Sequence, residues 1–427
     1  MLGRRAPTPT SGPSTAEPIS WKRNLYALWI AQTLVLVAFT FRDAFLPFYM
    51  KELGGLTNDQ AALWSGASMA LGALVMVVAA PFWGSMADRH GRKPMVLRAM
   101  WASVITAALM AFAMAPWQLV VLRMTEGAFA GTVAASAALV ASTAPKEHMG
   151  YALGLIQTAV FAGASIGPFL GGVLANLIGY RATLLSSAGL LAIGGVIVLV
   201  FVRESFVPAE RGPERGLAAI KASRAWLLTP TLLTMTAILV LMRFVQMGGR
   251  PILPLYIESL GHYTEARAAS LAGISFGLMG LTSAISSMVL GRQGDRVGHR
   301  KILVVCLIAS VICYFPMAAV MAAWQVILLQ ALFGFALGGL LPSTNAIIAA
   351  NTPAERRGAV FGFTSSAGSM GAFVGPLTGS ILAATMGFRF AFAFLAAVLL
   401  VASAAILWTQ YSGRVSFAEA PAPSPKA

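Results

Sequence analysis

The sequence predicts an all-α membrane protein whose twelve transmembrane helices form two pseudo-symmetric six-helix bundles. Three observations carry this. Hydrophobic residues make up 58% of the 427-residue chain and charged residues 11%, with a mean hydropathy of +0.77, which leaves too little polar surface to clothe a water-soluble fold. Apolar runs of about 20 residues, enough to cross ~30 Å of hydrocarbon, recur along nearly the whole chain. The second half also repeats the first.

The spans run over 24–49, 62–83, 95–115, 117–141, 150–178 and 181–202, then 229–256, 266–290, 301–321, 324–350, 358–386 and 388–410. They divide into an N-terminal bundle, 24–202, and a C-terminal bundle, 229–410, joined by a charged cytoplasmic linker, 203–228. Residues 1–23 and 411–427 read as disordered cytoplasmic tails; the first twenty residues lack the apolar core of a signal peptide.

The formal charge of +15 raises nucleic acid as a partner, but the distribution of the basic residues points to topology instead. Of 30 Lys and Arg, 21 fall in the tails and in every second loop, and the opposite loops hold only Lys51, Arg181, Arg267 and Arg389. By the positive-inside rule both termini are cytoplasmic, and no nucleic-acid partner is expected. Cys306 and Cys313 lie seven residues apart in one span and read as packing residues.

Sliding the chain by 207 residues superposes Leu46, Pro47 and Tyr49 on Leu253, Pro254 and Tyr256, and Gly84, Asp88, Arg89 and Gly91 on Gly291, Asp295, Arg296 and Gly298. After one inserted residue, Gly163, Gly167, Pro168 and Gly171 meet Gly371, Gly375, Pro376 and Gly379. Six helices per repeat give both halves the same orientation, with a substrate site expected between them near the midplane.

In the loop "GSMADRHGRK", Gly91 can supply a positive φ, and Arg89 and Arg92 mark the inner face. Asp88 needs a further reason. A carboxylate there can meet a helix N-terminus or an Arg of the opposite half in a contact that breaks during gating. Gly84, Asp88, Arg89, Gly91 and Arg92, with Asp295, Arg296 and Gly298 in the second copy, are the candidate cytoplasmic gate. In span five, Gly163, Gly167 and Gly171 share a helical face suited to close backbone approach, beside Gly172 and the helix-kinking Pro168; packing alone accounts for such a face.

No phosphate-binding G-x-x-x-x-G-K-[ST] loop is present, and His90, His148, His262 and His299 all fall in loops without metal-ligand spacing. No metal or cofactor is expected, and no nucleophile, base and orienter constellation points to an enzyme. An ion gradient remains as the energy source, one charge moved through 100 mV being worth roughly 2.3 kcal/mol. Of fifteen acidic residues only Asp43 and Glu126 fall inside spans. Asp43 is the leading candidate proton site, Glu126 the second, and Arg123 the cation that responds to them. The alternative is structural: a fixed Asp43–Arg123 pair, or an Arg123–Glu126 pair at i,i+3. Gln32, Phe39 and Thr40 in span one, Arg42, and the stripe Arg243, Gln246 and Arg250 in span seven are candidate walls of the substrate cavity. Four interior Arg on the candidate site against two carboxylates leave a nominal +2 that suits an anion or a zwitterion.

Residues 84–93, read as G-x-x-x-D-R-x-G-R-K, resemble the signature loop of the major facilitator superfamily, and the copy at 291 sits where that family places its second one. "LRMTEGAFAG" resembles the family's fourth-helix motif, which implies a coupling role for Arg123; "GASIGPFLGG" resembles the fifth-helix motif associated with antiporters. "LPFYMKELG" and "ALGLIQTAVFAGASIGPFLGG" are similar to the MdtG-like multidrug-efflux branch of the drug:proton antiporters, although "FRDA" stands where that branch has mostly apolar residues. The resemblance implies a proton-coupled exporter of drugs or other amphiphilic small molecules, monomeric, in the bacterial inner membrane and in contact with its lipid. A dedicated exporter of an anionic metabolite, siderophore or lipid, and a non-transporting receptor or scaffold, stay open beside it.

Overall fold

A computed structural model describes residues 21–204, 229–261, 263–353 and 356–411. Nearly all of the tails expected at 1–23 and 411–427, and of the linker expected at 203–228, lies outside the described residues; Trp21–Arg23 and Tyr411 are helical, so the first and last helices reach slightly into the expected tails. Among the described residues, twelve helices are long and apolar enough to cross a membrane, and they match the twelve expected spans.

The first half comprises α1 (Trp21–Thr40), α2 (Leu46–Gly54), α3 (Asn58–His90), α4 (Arg92–Ala111), α5 (Pro116–Phe129), α6 (Thr132–Thr143), α7 (Met149–Ile178) and α8 (Tyr180–Phe201). The second comprises α9 (Pro230–Gly248), α10 (Leu253–Ser259), α11 (Glu265–Val297), α12 (His299–Tyr314), α13 (Ala323–Ala350), α14 (Arg357–Met386) and α15 (Phe388–Tyr411).

Three expected spans are interrupted. Span one stops at Thr40, passes through a 3-10 turn at Phe41–Ala44 and resumes as α2, whose Pro47 occupies the first turn, where its missing N–H costs nothing. Span seven breaks at the equivalent place, before Pro254 of α10. Span four breaks only in the first half: Gly131, with φ of 123°, separates α5 from α6, a conformation that L side chains avoid. Trp83 Nε1 donates to the Ala128 carbonyl at 2.6 Å, and Arg98 Nη2 donates to the carbonyls of Phe129 and Ala130 at 3.1 and 3.2 Å. These donors satisfy carbonyls that the break leaves without helical partners.

The repeat is visible in hydrogen bonds. Tyr49 Oη donates to the Met110 carbonyl and Tyr256 Oη to the Met317 carbonyl, at 3.1 and 2.8 Å, both pairs being 61 residues apart. The Met114 and Met321 amides donate to Gln118 and Gln325 at 2.7 Å each.

The glycine face of span five packs as expected and gains a partner. Gly163 lies against Leu36, Gly167 against Val37 and Thr40, and Gly171 against the Phe41 backbone. Gly371, Gly375 and Gly379 set α14 against α9 in the same way, contacting Val240, Phe244 and Gly248. Gly172 instead faces the other half, at Ala269 and Ser270 of α11. The halves meet along two seams, α7 with α11 and α3 with α14. Contacts such as Gly66 with Ser380 and Gly273 with Pro168 place the seams toward the end away from the basic loops. Toward the basic loops a cavity of about 690 Å³ lies between α3, α4, α6 and α14. The molecule is therefore closed on one face and open on the other, the open face being the one with the positive loops.

Gly171→Leu would force a side chain into the Phe41 backbone, and overpacking of this kind costs about 1–3 kcal/mol. The expected result is a lower apparent melting temperature in detergent, whereas Gly189→Leu, whose surroundings are open, should leave it unchanged.

Candidate functional site

The 3-10 turn at Phe41–Ala44 decides the geometry of the site. At 3.0 residues per turn, consecutive side chains diverge by roughly 120°, so Arg42 and Asp43 face different parts of the molecule. Arg42 turns into its own half, where its Nη2 lies 2.7 Å from Glu126 Oε2, the two side chains being 1% and 2% exposed. Arg123 Nη1 reaches the same oxygen at 3.0 Å. The Phe39 ring lies 4.3 Å from the Arg42 guanidinium and 5.7 Å from that of Arg123, an aromatic face shared by two cations. Arg42 Nε and Glu126 Oε1 are buried without hydrogen-bond partners among the described residues, so the cluster is only partly satisfied.

Asp43 turns toward the other half. Its Oδ2 lies 2.8 Å from Nη2 of Arg250, with exposures of 10% and 17%. Arg250 sits in the turn after α9 and also faces the Phe276 ring of α11 at 5.6 Å. The alternative Asp43–Arg123 pair is not formed; with Arg42 on Glu126, the neighbouring Asp43 points to Arg250 of the other half. The Arg123–Glu126 pair at i,i+3 is present, with Arg42 added to it. A continuous span over 24–49, as the hydropathy predicts, does not reveal which way Arg42 and Asp43 turn.

Other expected cavity residues separate into two groups. Gln32 is fully buried, donating to Thr132 Oγ1 at 3.2 Å and accepting from Ser136 Oγ at 3.1 Å; it ties α1 to α6 and does not line a cavity. The Thr40 hydroxyl lies 2.7 Å from the Gly163 carbonyl and belongs to the α1–α7 contact. Both corrections have one cause: the face of α1 that carries them is covered by α6 and α7. Gln246 and Arg250 line a small pocket with Phe276 and Gln330. Arg243 is surrounded by protein yet retains exposed surface, close to Gly368 of α14. It has no ion pair or hydrogen bond among the described residues.

In the candidate cytoplasmic gate, Gly91 and Gly298 adopt φ of 94° and 96°, as their turns require. The Asp88 side chain lies outside the described residues. The amides of Arg92 and Lys93 donate to Glu204 Oε1 and Oε2 at 2.9 and 2.8 Å, so the N-terminus of α4 is held by an acidic residue just past span six. Sequence reasoning missed Glu204; its signal was an acidic residue at the first turn of the linker, facing the dipole of a helix N-terminus. Asp295 binds His299 of its own half at 3.1 Å, while Arg89 and Arg296 are exposed and Gly84 lines the large cavity. On this open face, the described gate side chains make no pair between the halves.

Removing one member of a buried ion pair strands the other, at a cost of about 3–5 kcal/mol. Glu126→Gln, which takes the one shared carboxylate from both Arg42 and Arg123, should therefore lower stability by that order in thermal unfolding, and Arg42→Met, which leaves Glu126 paired with Arg123, should cost less. Asp43→Asn, at a more exposed pair, should cost less than either single change in the Arg42–Glu126 pair.

The comparisons with known proteins agree with this architecture. The family model of the Major Facilitator Superfamily matches residues 28–282 and 244–426. Multidrug resistance protein MdtG of Salmonella paratyphi A is 35% identical over 384 residues, covering 90% of this chain and 94% of the relative; MdtG of Salmonella typhimurium matches over the same shares. The crystal structure of a bacterial homolog of the human lysosomal transporter Spinster, inward-facing and occupied, superposes with a TM-score of 0.74 at 15% identity, covering 94% of this chain and 100% of that one. The nucleoside transporter NupG superposes with a TM-score of 0.71 at 13% identity, covering 90% of this chain and 98% of that one. With twelve membrane helices, a repeated six-helix half and a match over most of its length to MdtG, the chain belongs to the major facilitator superfamily, in its MdtG-like branch, and is a multi-pass membrane transporter.

Proposed function

We propose that the protein is a proton-coupled antiporter that exports drugs and other amphiphilic small molecules across the inner membrane by alternating access, as a monomer with both termini in the cytoplasm. The observation that carries this reading is the ion pair between Asp43 and Arg250, one residue from each half. In the empty, deprotonated state the pair helps to hold the outer side shut, which prevents turnover without substrate. A substrate whose charge competes for Asp43 or Arg250 loosens it and frees the halves to rock. Once the outer side is open, a proton taken up by Asp43 displaces the substrate, and the protonated protein returns. Glu126, held by two cations within one half, gives no such direct link between the halves and serves as the second proton site. Arg123, on the same helix, is the cation that responds to its charge. The export direction rests on the multidrug-resistance relatives and on the antiporter-type fifth helix.

A second reading, a dedicated exporter of an anionic metabolite, siderophore or lipid, is favoured by Arg243, an interior cation with no partner among the described residues. The two are separated by proton movement in everted vesicles with cationic, zwitterionic and anionic amphiphiles. Substrate-dependent proton release should fall about tenfold or more in Asp43→Asn, equivalent to ~1.4 kcal/mol or more of lost coupling. Under the second reading only anions drive the signal, and Arg243→Gln raises their KM while leaving other substrates untouched. An unaltered response in Asp43→Asn removes it from the mechanism; no proton or substrate movement with any compound favours the receptor or scaffold.

A further inference from the structure

On a two-fold axis a residue faces its own equivalent. Asp43 and Arg250 are equivalent positions of the repeat, 207 residues apart, and they touch. The same is true one layer further out. Lys51 of α2 and Glu258 of α10 are also 207 residues apart, and Lys51 Nζ lies 3.0 Å from Glu258 Oε1. Glu265, the first residue of α11, adds a second carboxylate at 2.8 Å. Equal side chains at an axial position would repel or merely pack; opposite charges at both positions bind the halves to each other.

The outer layer and the Arg42–Glu126 pair differ in how firmly they are held. Lys51, Glu258 and Glu265 are 22%, 16% and 37% exposed, so water and salt reach them and their attraction is screened. The Arg42–Glu126 pair is almost completely buried and lies within one half, where rocking need not break it. A contact that must open in each cycle needs the first kind of environment. Lys51, Arg181, Arg267 and Arg389 are the basic residues the sequence places toward this face, and the Lys51 ammonium lies between two carboxylates of the opposite half.

We propose that Lys51, Glu258 and Glu265 form an outer latch, a screened electrostatic closure above the Asp43–Arg250 pair whose strength sets the balance between inward-open and outward-open states. The proposal rests on the transporter reading and adds to it the residues that govern the outer side. Burial alone would lower the Lys51 ammonium, but the hydrogen bonds to Glu265 and Glu258 outweigh it and hold it above its ordinary 10.5. The ammonium's contribution is therefore complete below that ordinary value and is lost only as pH rises through the raised one.

The test is a distance measurement by double electron–electron resonance on the full chain in lipid nanodiscs, with Cys306 and Cys313 replaced by Ser. Spin labels go on Leu63→Cys and Met386→Cys, exposed positions near the outer ends of α3 and α14. Lys51→Glu places three carboxylates together and should make a longer distance, minor in the unaltered protein, the main population. Lys51→Glu/Glu258→Lys should shift the population back, and high salt should lengthen the distance in the unaltered protein. Where Lys51→Glu does not fold, Lys51→Gln gives the same reading in weaker form. An unchanged distribution in the single variants, or equal widening in the charge-swapped double variant, overturns the latch. No substrate or gradient is needed, so the outcome is independent of coupling. An outer side that opens in Lys51→Glu in a protein without proton or substrate flux would keep the latch and remove the exporter reading, and flux with an unaltered distance would do the reverse.

Discussion

An ion pair that joins two moving bodies has to be strong enough to select one arrangement and weak enough to be given up. Asp43 and Arg250 meet this constraint through partial burial. At ε near 4 two charges a few ångström apart attract by an upper bound of roughly 20 kcal/mol, and in water by about 1; a pair at the first limit would lock the molecule and one at the second would not matter. With exposures of 10% and 17% the pair sits between the limits. The pair sits at the 3-10 turn Phe41–Ala44, where helix one is interrupted and meets the other half.

The interior charges therefore have separate structural roles although they lie close in sequence. Arg42, Arg123 and Glu126 form a compact cluster within one half, where two guanidinium groups share one carboxylate oxygen and an aromatic face. Such a cluster costs desolvation and is retained because losing any member is worse. Asp43 and Arg250 link the halves. Arg243 has no recorded partner and retains exposed surface in the interior. Around these charges the glycines of α7 and α14 let backbones approach closely, so that each half packs through main chain as well as side chains. Small-residue contacts of this kind favour rigid units, and rigid units are what makes one ion pair between them mechanically relevant.

Much of this was legible in the sequence and the rest was not, for identifiable reasons. Length and hydropathy place twelve spans because a bilayer allows few other solutions. The 207-residue repeat gives the two halves. Gly163, Gly167 and Gly171 announce a close contact by their spacing, although not that α1 is the partner. Asp43, Glu126, Arg42, Arg123 and Arg250 stand out because ionisable residues within spans are expensive. Their pairing could not be read, because it depends on a 3-10 turn four residues long that hydropathy averages away. The break at Gly131 was equally hidden: Gly338 occupies the equivalent position in the second half and stays helical within α13. Gln32 and Thr40 looked like cavity residues because polarity within a span marks an interior face without saying whether that face meets water or another helix.

The repeat constrains the outer face further than fold alone would. After duplication, an axial position starts with the same residue in both halves, and an acidic or basic residue there opposes closure. Charge divergence at positions 43 and 250, and again at 51 and 258, turns that opposition into attraction while leaving the backbone of both copies alike. At these positions the asymmetry between the halves falls where they touch on the axis, whereas the Gly131 break and the Arg42–Arg123–Glu126 cluster belong to the first half alone. The equivalent tyrosine and glutamine hydrogen bonds, away from that contact, stay in common. In such an architecture a small number of axial side chains can bias the balance between two packings whose helix contacts are otherwise similar, because a few kcal/mol of differential interaction is enough to reverse a two-state population.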